Sequence, residues 1–107
     1  MSIGVDIVQN IRFQSFLNDQ KKIDKILSPE EKEIFNSFSS EKRKLEYIAS
    51  RFSAKEALFK ATNEKVAMNQ ISILNDKNGK PYVKNKKDIE ISISHETDYS
   101  ITFVIKH

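Results

Sequence analysis

The chain has 107 residues, enough for one domain with a modest core. Its net charge of +3 and pI of about 9.1 are too mild to indicate nucleic acid, but they favour an acidic partner or a phosphorylated ligand. Cysteine is absent, which excludes disulfides, thiolate metal sites and a cysteine nucleophile.

No apolar run is long enough to span a membrane, and the N-terminus lacks a signal-peptide core, so a cytoplasmic location is the expectation. Ile3 to Val8 reads as a short strand, with Ile3, Val5 and Ile7 on one face and Gly4, Asp6 and Val8 on the other. Asp6 shares its face with a glycine, which leaves room for something to approach. Taken alone, it reads better as a cap of the next helix or an exposed strand end. Ile11, Phe13, Phe16 and Leu17 predict a short amphipathic helix with Arg12 on its polar side. Asp19 to Lys25 carries three lysines and reads as a solvated face. Ser28-Pro29-Glu30-Glu31 is a helix start, with serine at the cap, proline first and glutamate three on. Ser39-Ser40 ends that helix and caps the next.

The next helix runs from Glu41 to about Ala61. Leu45, Ile48, Ala49, Phe52 and Phe59 recur on one apolar face. At about 100° per residue, Glu56 falls near the middle of that stripe, with Arg51 and Lys55 on one flank and Lys60 on the other. A carboxylate there needs a cation or metal ion as its partner. An i,i+4 surface pair with Lys60 is the simpler alternative, but the apolar setting favours a site.

Beyond Ala61 the period changes to that of strands. Ile71–Leu74 and Lys80–Val83 predict a hairpin through Asn78-Gly79, and Pro81 marks an edge strand. Ile89–His95 alternates as a half-buried strand, and Tyr99–Ile105 is the last. Repeats and linkers are lacking. The expectation is a single domain over residues 1–107 of α+β class, helices first and antiparallel strands after.

Gly4-Val5-Asp6-Ile7, Arg51-Phe52-Ser53-Ala54-Lys55-Glu56-Ala57, Asn78-Gly79-Lys80-Pro81 and Ser92-Ile93-Ser94-His95 occur in this order. This set closely resembles holo-acyl carrier protein synthase, the small trimeric class of phosphopantetheinyl transferases. The likeness spans nearly the whole chain, and both of its glycines, Gly4 and Gly79, fall inside the motifs. It implies a phosphopantetheinyl transferase-like fold, with helices packed on a small antiparallel sheet. It also implies a homotrimer with sites between subunits, and a chain this short has limited interior of its own.

The resemblance implies transfer of the 4′-phosphopantetheine arm of coenzyme A to a serine of apo acyl carrier protein, with release of 3′,5′-ADP, as a step of fatty acid biosynthesis. By motif position, Asp6 and Glu56 hold Mg²⁺, which takes one or two carboxylates plus phosphate oxygens. Lys60 corresponds to the pyrophosphate-binding lysine. Arg51 and His95 correspond to groups on the 3′-phosphate, while Gly79 and Pro81 match the turn beside the adenine. His95 alone would read as an exposed turn histidine. Arg12 matches a position that contacts the acidic carrier protein. Lys21, Lys25, Lys42 and Arg43 are further candidate contacts, though each also reads as solubilising charge.

One departure stands out. Many members of the family carry a glycine-rich turn after the long helix, where this chain has Thr62-Asn63-Glu64-Lys65-Val66. A phosphate cradle of turn amides is then in question. Two other readings stand beside the transferase. One is a non-catalytic carrier-binding module, disfavoured because Asp6 and Glu56 are both present. The other is a nucleic-acid-binding protein, disfavoured by interleaved acidic residues and the lack of a reading motif.

Overall fold

A computed structural model describes residues 1–107. Strand β1 (Ser2–Gln9) leads into a 3-10 helix over Asn10–Phe16. Three α-helices follow: α1 (Gln20–Ile26), α2 (Pro29–Ser37) and α3 (Glu41–Thr62). Strands β2 (Ile73–Asn75), β3 (Pro81–Val83), β4 (Ile89–His95) and β5 (Tyr99–Lys106) complete the chain. The class is α+β, as expected.

Strand β5 lies between β1 and β4 in an antiparallel sheet of order β1-β5-β4. Its register with β1 runs from Ser2↔Lys106 to Gln9↔Tyr99. Strands β2 and β3 form a separate ribbon. Its turn places Gly79 at φ 85°, a left-handed conformation that glycine adopts without strain.

The alternation of β1 holds, and the structure shows what each face meets. Gly4 and Val8 are buried and Asp6 is half-buried, all toward α3. Gly4 leaves no room for a ligand. A Cβ there would meet the Ala57 carbonyl oxygen far inside contact distance and the Ala61 nitrogen at 2.8 Å. The space at Gly4 is filled by the backbone of α3 itself. Ser53 then ties the two elements, its hydroxyl donating to the Asp6 carbonyl at 3.1 Å.

Helix α3 differs from a one-striped amphipathic helix. From Tyr47 to Ala61 it is buried on most sides, against the sheet on one and α1 and α2 on others. Ala49, Ser53, Ala57 and Ala61 are buried beside Ile48 and Leu58. The predicted burial order is therefore corrected. Lys55, expected on a flank, is fully buried, as is nearly all of Arg51, whereas Glu56 is only half-buried. Side-chain size misled here, because small residues mark the side where a helix comes close to a sheet.

The lysine-rich segment after Asp19 is also more than a solvated face. It forms α1, capped by the Asp19 carboxylate, and buries Ile23 and Ile26. The start of α2 is as predicted, a capping box between Ser28 and Glu31 with Pro29 at the first position. Ser40 caps α3 through the Arg43 amide. Asn63 ends it at φ 57°, taking the left-handed place that glycine usually fills.

Candidate functional site

Two groups of residues stand on different sides of α3. The first lines a cleft of about 980 Å³ between α2, the start of α3, the β2–β3 turn and the end of β4. Arg51, Gly79, Pro81 and His95 all border it, together with Tyr47 and Asn75. Four residues expected to hold the nucleotide end of a ligand thus meet in one place, brought from three elements.

Arg51 is held there firmly. Its Nε donates to the Ile73 carbonyl at 3.0 Å and its NH2 to the Asn75 side chain at 2.7 Å. Its guanidinium lies 4.4 Å from the centroid of the Tyr47 ring. A guanidinium has five N–H donors, so others remain for an anion. The Asn75 amide in turn donates to the Gly79 carbonyl at 3.0 Å, linking the arginine to the turn. His95 is half-exposed, its Nδ1 3.9 Å from the carboxylate of Glu46, which borders the same cleft. A protonated imidazole there would offer N–H donors to a phosphate.

Tyr47 went unnoticed in the sequence, although it sits one turn before Arg51. Its hydroxyl is buried without a hydrogen-bond partner. Burial pushes the phenol up from its ordinary value to about 12, ahead of the Arg51 charge that pulls it down. A raised acid contributes stability below its unfolded pKa and loses it as pH climbs through the folded one. The window here runs from about pH 10 to 12. A spectrophotometric tyrosine titration should show one phenol staying protonated until about pH 12, and Tyr47→Phe should remove that late step. An unchanged titration curve in the variant would contradict this environment.

The second group is built from β1 and the other side of α3. Relative to Arg51, Glu56 is turned by about 140° and Lys60 by about 180° around the helix axis. Ser53, Glu56 and Lys60 share one face, and the two outer members both touch residue 6. The Lys60 ammonium lies 3.4 Å from Asp6 Oδ1 and donates to the Val5 carbonyl at 3.0 Å. It therefore pairs with Asp6 rather than with Glu56, against the simple i,i+4 alternative. The Glu56 side chain makes no hydrogen bond or ion pair. The second carboxylate oxygen of Asp6 is buried and unpartnered. Leaving such an acceptor unmet costs on the order of 1–3 kcal/mol, so this oxygen suits a cation. Three acidic or histidine side chains do not gather anywhere. Two carboxylates are the number that Mg²⁺ takes when phosphate oxygens and water complete its shell.

The turn after α3 adds little to this group. The Asn63 amide donates to the Phe59 carbonyl at 2.8 Å and the Glu64 amide to the Thr62 hydroxyl at 3.3 Å. Both of these amides are committed within the turn, which leaves the Lys65 and Val66 amides as its candidates for a phosphate.

The profile of the 4′-phosphopantetheinyl transferase superfamily matches residues 2–104. The holo-[acyl-carrier-protein] synthase of Geobacillus sp. (strain WCH70) is 48% identical over 98% of this chain and 94% of its own. That of Staphylococcus aureus (strain Newman) is 38% identical over 96% and 92%. The chain belongs to the holo-[acyl-carrier-protein] synthases of this superfamily. As a member it is an enzyme, a transferase. The fold agrees. The synthase from Bacillus anthracis str. Ames, solved in complex with CoA (3′,5′-ADP), superposes at a TM-score of 0.86 with 30% identity, covering 96% of this chain and 92% of that one. The synthase from Neisseria meningitidis also reaches 0.86, with 28% identity and coverage of 99% and 97%.

Proposed function

We propose that this enzyme transfers the 4′-phosphopantetheine arm of coenzyme A to a serine of apo acyl carrier protein and releases 3′,5′-ADP. The observation that carries the reading is the unmet, buried oxygen of Asp6 on the helix face that bears Glu56 and Lys60. In the reaction the serine hydroxyl gives up its proton to water as its oxygen bonds to the phosphorus of the pantetheine phosphate. The pyrophosphate bond breaks, and 3′,5′-ADP leaves with the electron pair. Asp6 and Glu56 would hold Mg²⁺, which would supply stabilisation of charge on the pyrophosphate. Lys60, 55% exposed at its side chain and 3.4 Å from Asp6, would offer its ammonium to the pyrophosphate oxygens. Arg51 and His95 receive the 3′-phosphate, with Gly79 and Pro81 beside the adenine. Arg12 stacks its guanidinium near Phe13 and Phe52, at 5.5 and 5.8 Å from their centroids, and leads a basic surface toward the acidic carrier. No helix is long and apolar enough to cross a membrane. The direct test is the mass of apo carrier protein after incubation with this protein, coenzyme A and Mg²⁺. A gain of one phosphopantetheine is expected. An unchanged mass would overturn the reading.

The same proposal includes a homotrimer whose sites lie between subunits. One observation is the separation of the two residue groups around α3, which a second copy would close. Another is the outer face of the sheet. There Val5 pairs with Phe103, Ile3 with Ile105 and Ile7 with Ile101, and Val5, Ile7 and Phe103 are 49%, 60% and 41% exposed. A contiguous apolar face of this kind marks an interface. Phe103→Glu should leave the isolated fold intact, shift sedimentation from trimer to monomer and remove transfer with it. A monomer that keeps full activity would sink the shared-site arrangement.

A further inference from the structure

The β2–β3 ribbon forms one wall of the cleft, yet each strand has three residues and neither joins the main sheet. A two-stranded ribbon alone is marginal in water. What holds it is a set of side chains. The Ile73 amide donates to Glu31 Oε2 at 2.8 Å, and the Ile73 carbonyl accepts from Arg51 Nε at 3.0 Å. Side chains thus take the place of a third strand. Glu31 Oε1 receives the Ser28 amide at 2.9 Å and the Lys55 ammonium at 2.5 Å. Lys55 also donates to the carbonyls of Ile26 at 2.6 Å and Met68 at 2.9 Å. Glu31 and Lys55 are both fully buried, and all three lysine donors are used. Neither side chain borders the cleft or the Asp6 group.

We propose that Lys55 and Glu31 are positioning residues: the buried pair clamps β2 to α3, and through Ile73, Arg51 and Asn75 it sets the Gly79 turn and the guanidinium that face the ligand. The path is continuous, because Arg51 bonds both Ile73 and Asn75, and Asn75 bonds the Gly79 carbonyl. Lys55 precedes the proposed metal ligand Glu56 in sequence but lies about 100° away around the helix axis, so one turn of α3 serves two tasks. The inference rests on the cleft being the nucleotide site.

Glu31→Gln and the double variant Lys55→Met/Glu31→Leu test it. Glutamine keeps one acceptor oxygen for three donors, so its NH₂ must face a donor and the Ile73 or Lys55 bond is lost. The double variant removes both charges together, an exchange that buried pairs often tolerate without loss of stability. In each, amide hydrogen exchange at Ile73 and through the β2–β3 turn should quicken relative to β1 and β5. The dissociation constant of 3′,5′-ADP and the KM for coenzyme A should rise on the order of tenfold, since small displacements of binding groups are costly. The KM for carrier protein should stay within about twofold. Ribbon exchange and 3′,5′-ADP affinity equal to wild type in a folded variant would overturn the proposal. If only the glutamine variant folds, its data decide. Should wild type fail to bind 3′,5′-ADP, the cleft assignment falls instead, while faster ribbon exchange would still support the clamp.

Discussion

Glu56→Gln should abolish transfer while leaving fold and assembly in place. The substitution keeps the shape of the side chain and removes only its charge. The Glu56 side chain makes no hydrogen bond or ion pair with the rest of the protein, so no internal partner is orphaned. Half-buried, it should change stability by no more than about 0.5 kcal/mol, as for an ordinary surface substitution. Activity has more to lose. Removing one charge-stabilising group from a reacting centre costs about 10²–10³ in turnover, and here it halves the carboxylates proposed for Mg²⁺. Steady-state transfer at ordinary Mg²⁺, with thermal melting and sedimentation as controls, settles the matter. Loss of activity with an unchanged melt and unchanged assembly is expected. Turnover within tenfold of wild type would refute the assignment of Glu56 as a metal ligand.

Glu56 also shows where reading the sequence reached its limit. Counting about 100° per residue placed it on the stripe of Phe52 and Phe59, and a carboxylate among apolar residues pointed to a cation. The conclusion is kept as a proposal, but the premise needs correction. The deeply buried charge is Lys55, not Glu56. Lys55 follows Arg51 by one turn and reads as a flank residue of the stripe, because its partner Glu31 lies 24 residues away and belongs to another helix. The capping box revealed Glu31 correctly as a local feature. Nothing local shows that its carboxylate also serves Lys55 and the Ile73 amide. Such long-range use of a capping residue becomes visible only when α2, α3 and β2 are packed.

The strands were more legible. Alternation located β4 through His95, and Asn78-Gly79 located the turn, because period and turn chemistry are local. The ribbon strands fall at Ile73–Asn75 and Pro81–Val83, shifted from the predicted runs, since side chains rather than strands define one edge. Motif order brought Arg51, Gly79, Pro81 and His95 to one cleft and Asp6 and Lys60 to one contact. Tyr47 and Asn75 were missed because each is an ordinary residue of its element, and only the fold aims it at Arg51.

Gly4→Ala should be the most destabilising single methyl that can be added to this chain. The added Cβ would collide with the Ala57 carbonyl oxygen and the Ala61 amide nitrogen, both backbone atoms of α3. Backbone cannot rotate away as a side chain tip can, so β1 or the helix must shift as a body. Ordinary overpacking costs roughly 1–3 kcal/mol, occasionally more. A clash with two backbone groups belongs at or above the top of that range, a fall in Tm of roughly 12–24 °C for a domain of this size. Gly79→Ala is the control. Its Cβ meets nothing within 4 Å, so it carries only the strain of a left-handed φ of 85°, about 1 kcal/mol. The two glycines thus separate contact from conformation. The consequence reaches the reaction as well. Asp6 lies two residues along β1, held against α3 by Ser53 and Lys60. Any shift that accommodates the added methyl moves the Asp6 carboxylate away from the helix face that bears Glu56. Gly4→Ala that survives at low temperature should therefore lose transfer beyond its loss of folded protein. A melt of Gly4→Ala within about 2 °C of wild type, less than even 1 kcal/mol would produce, would show that β1 and α3 are not packed backbone to backbone at this point.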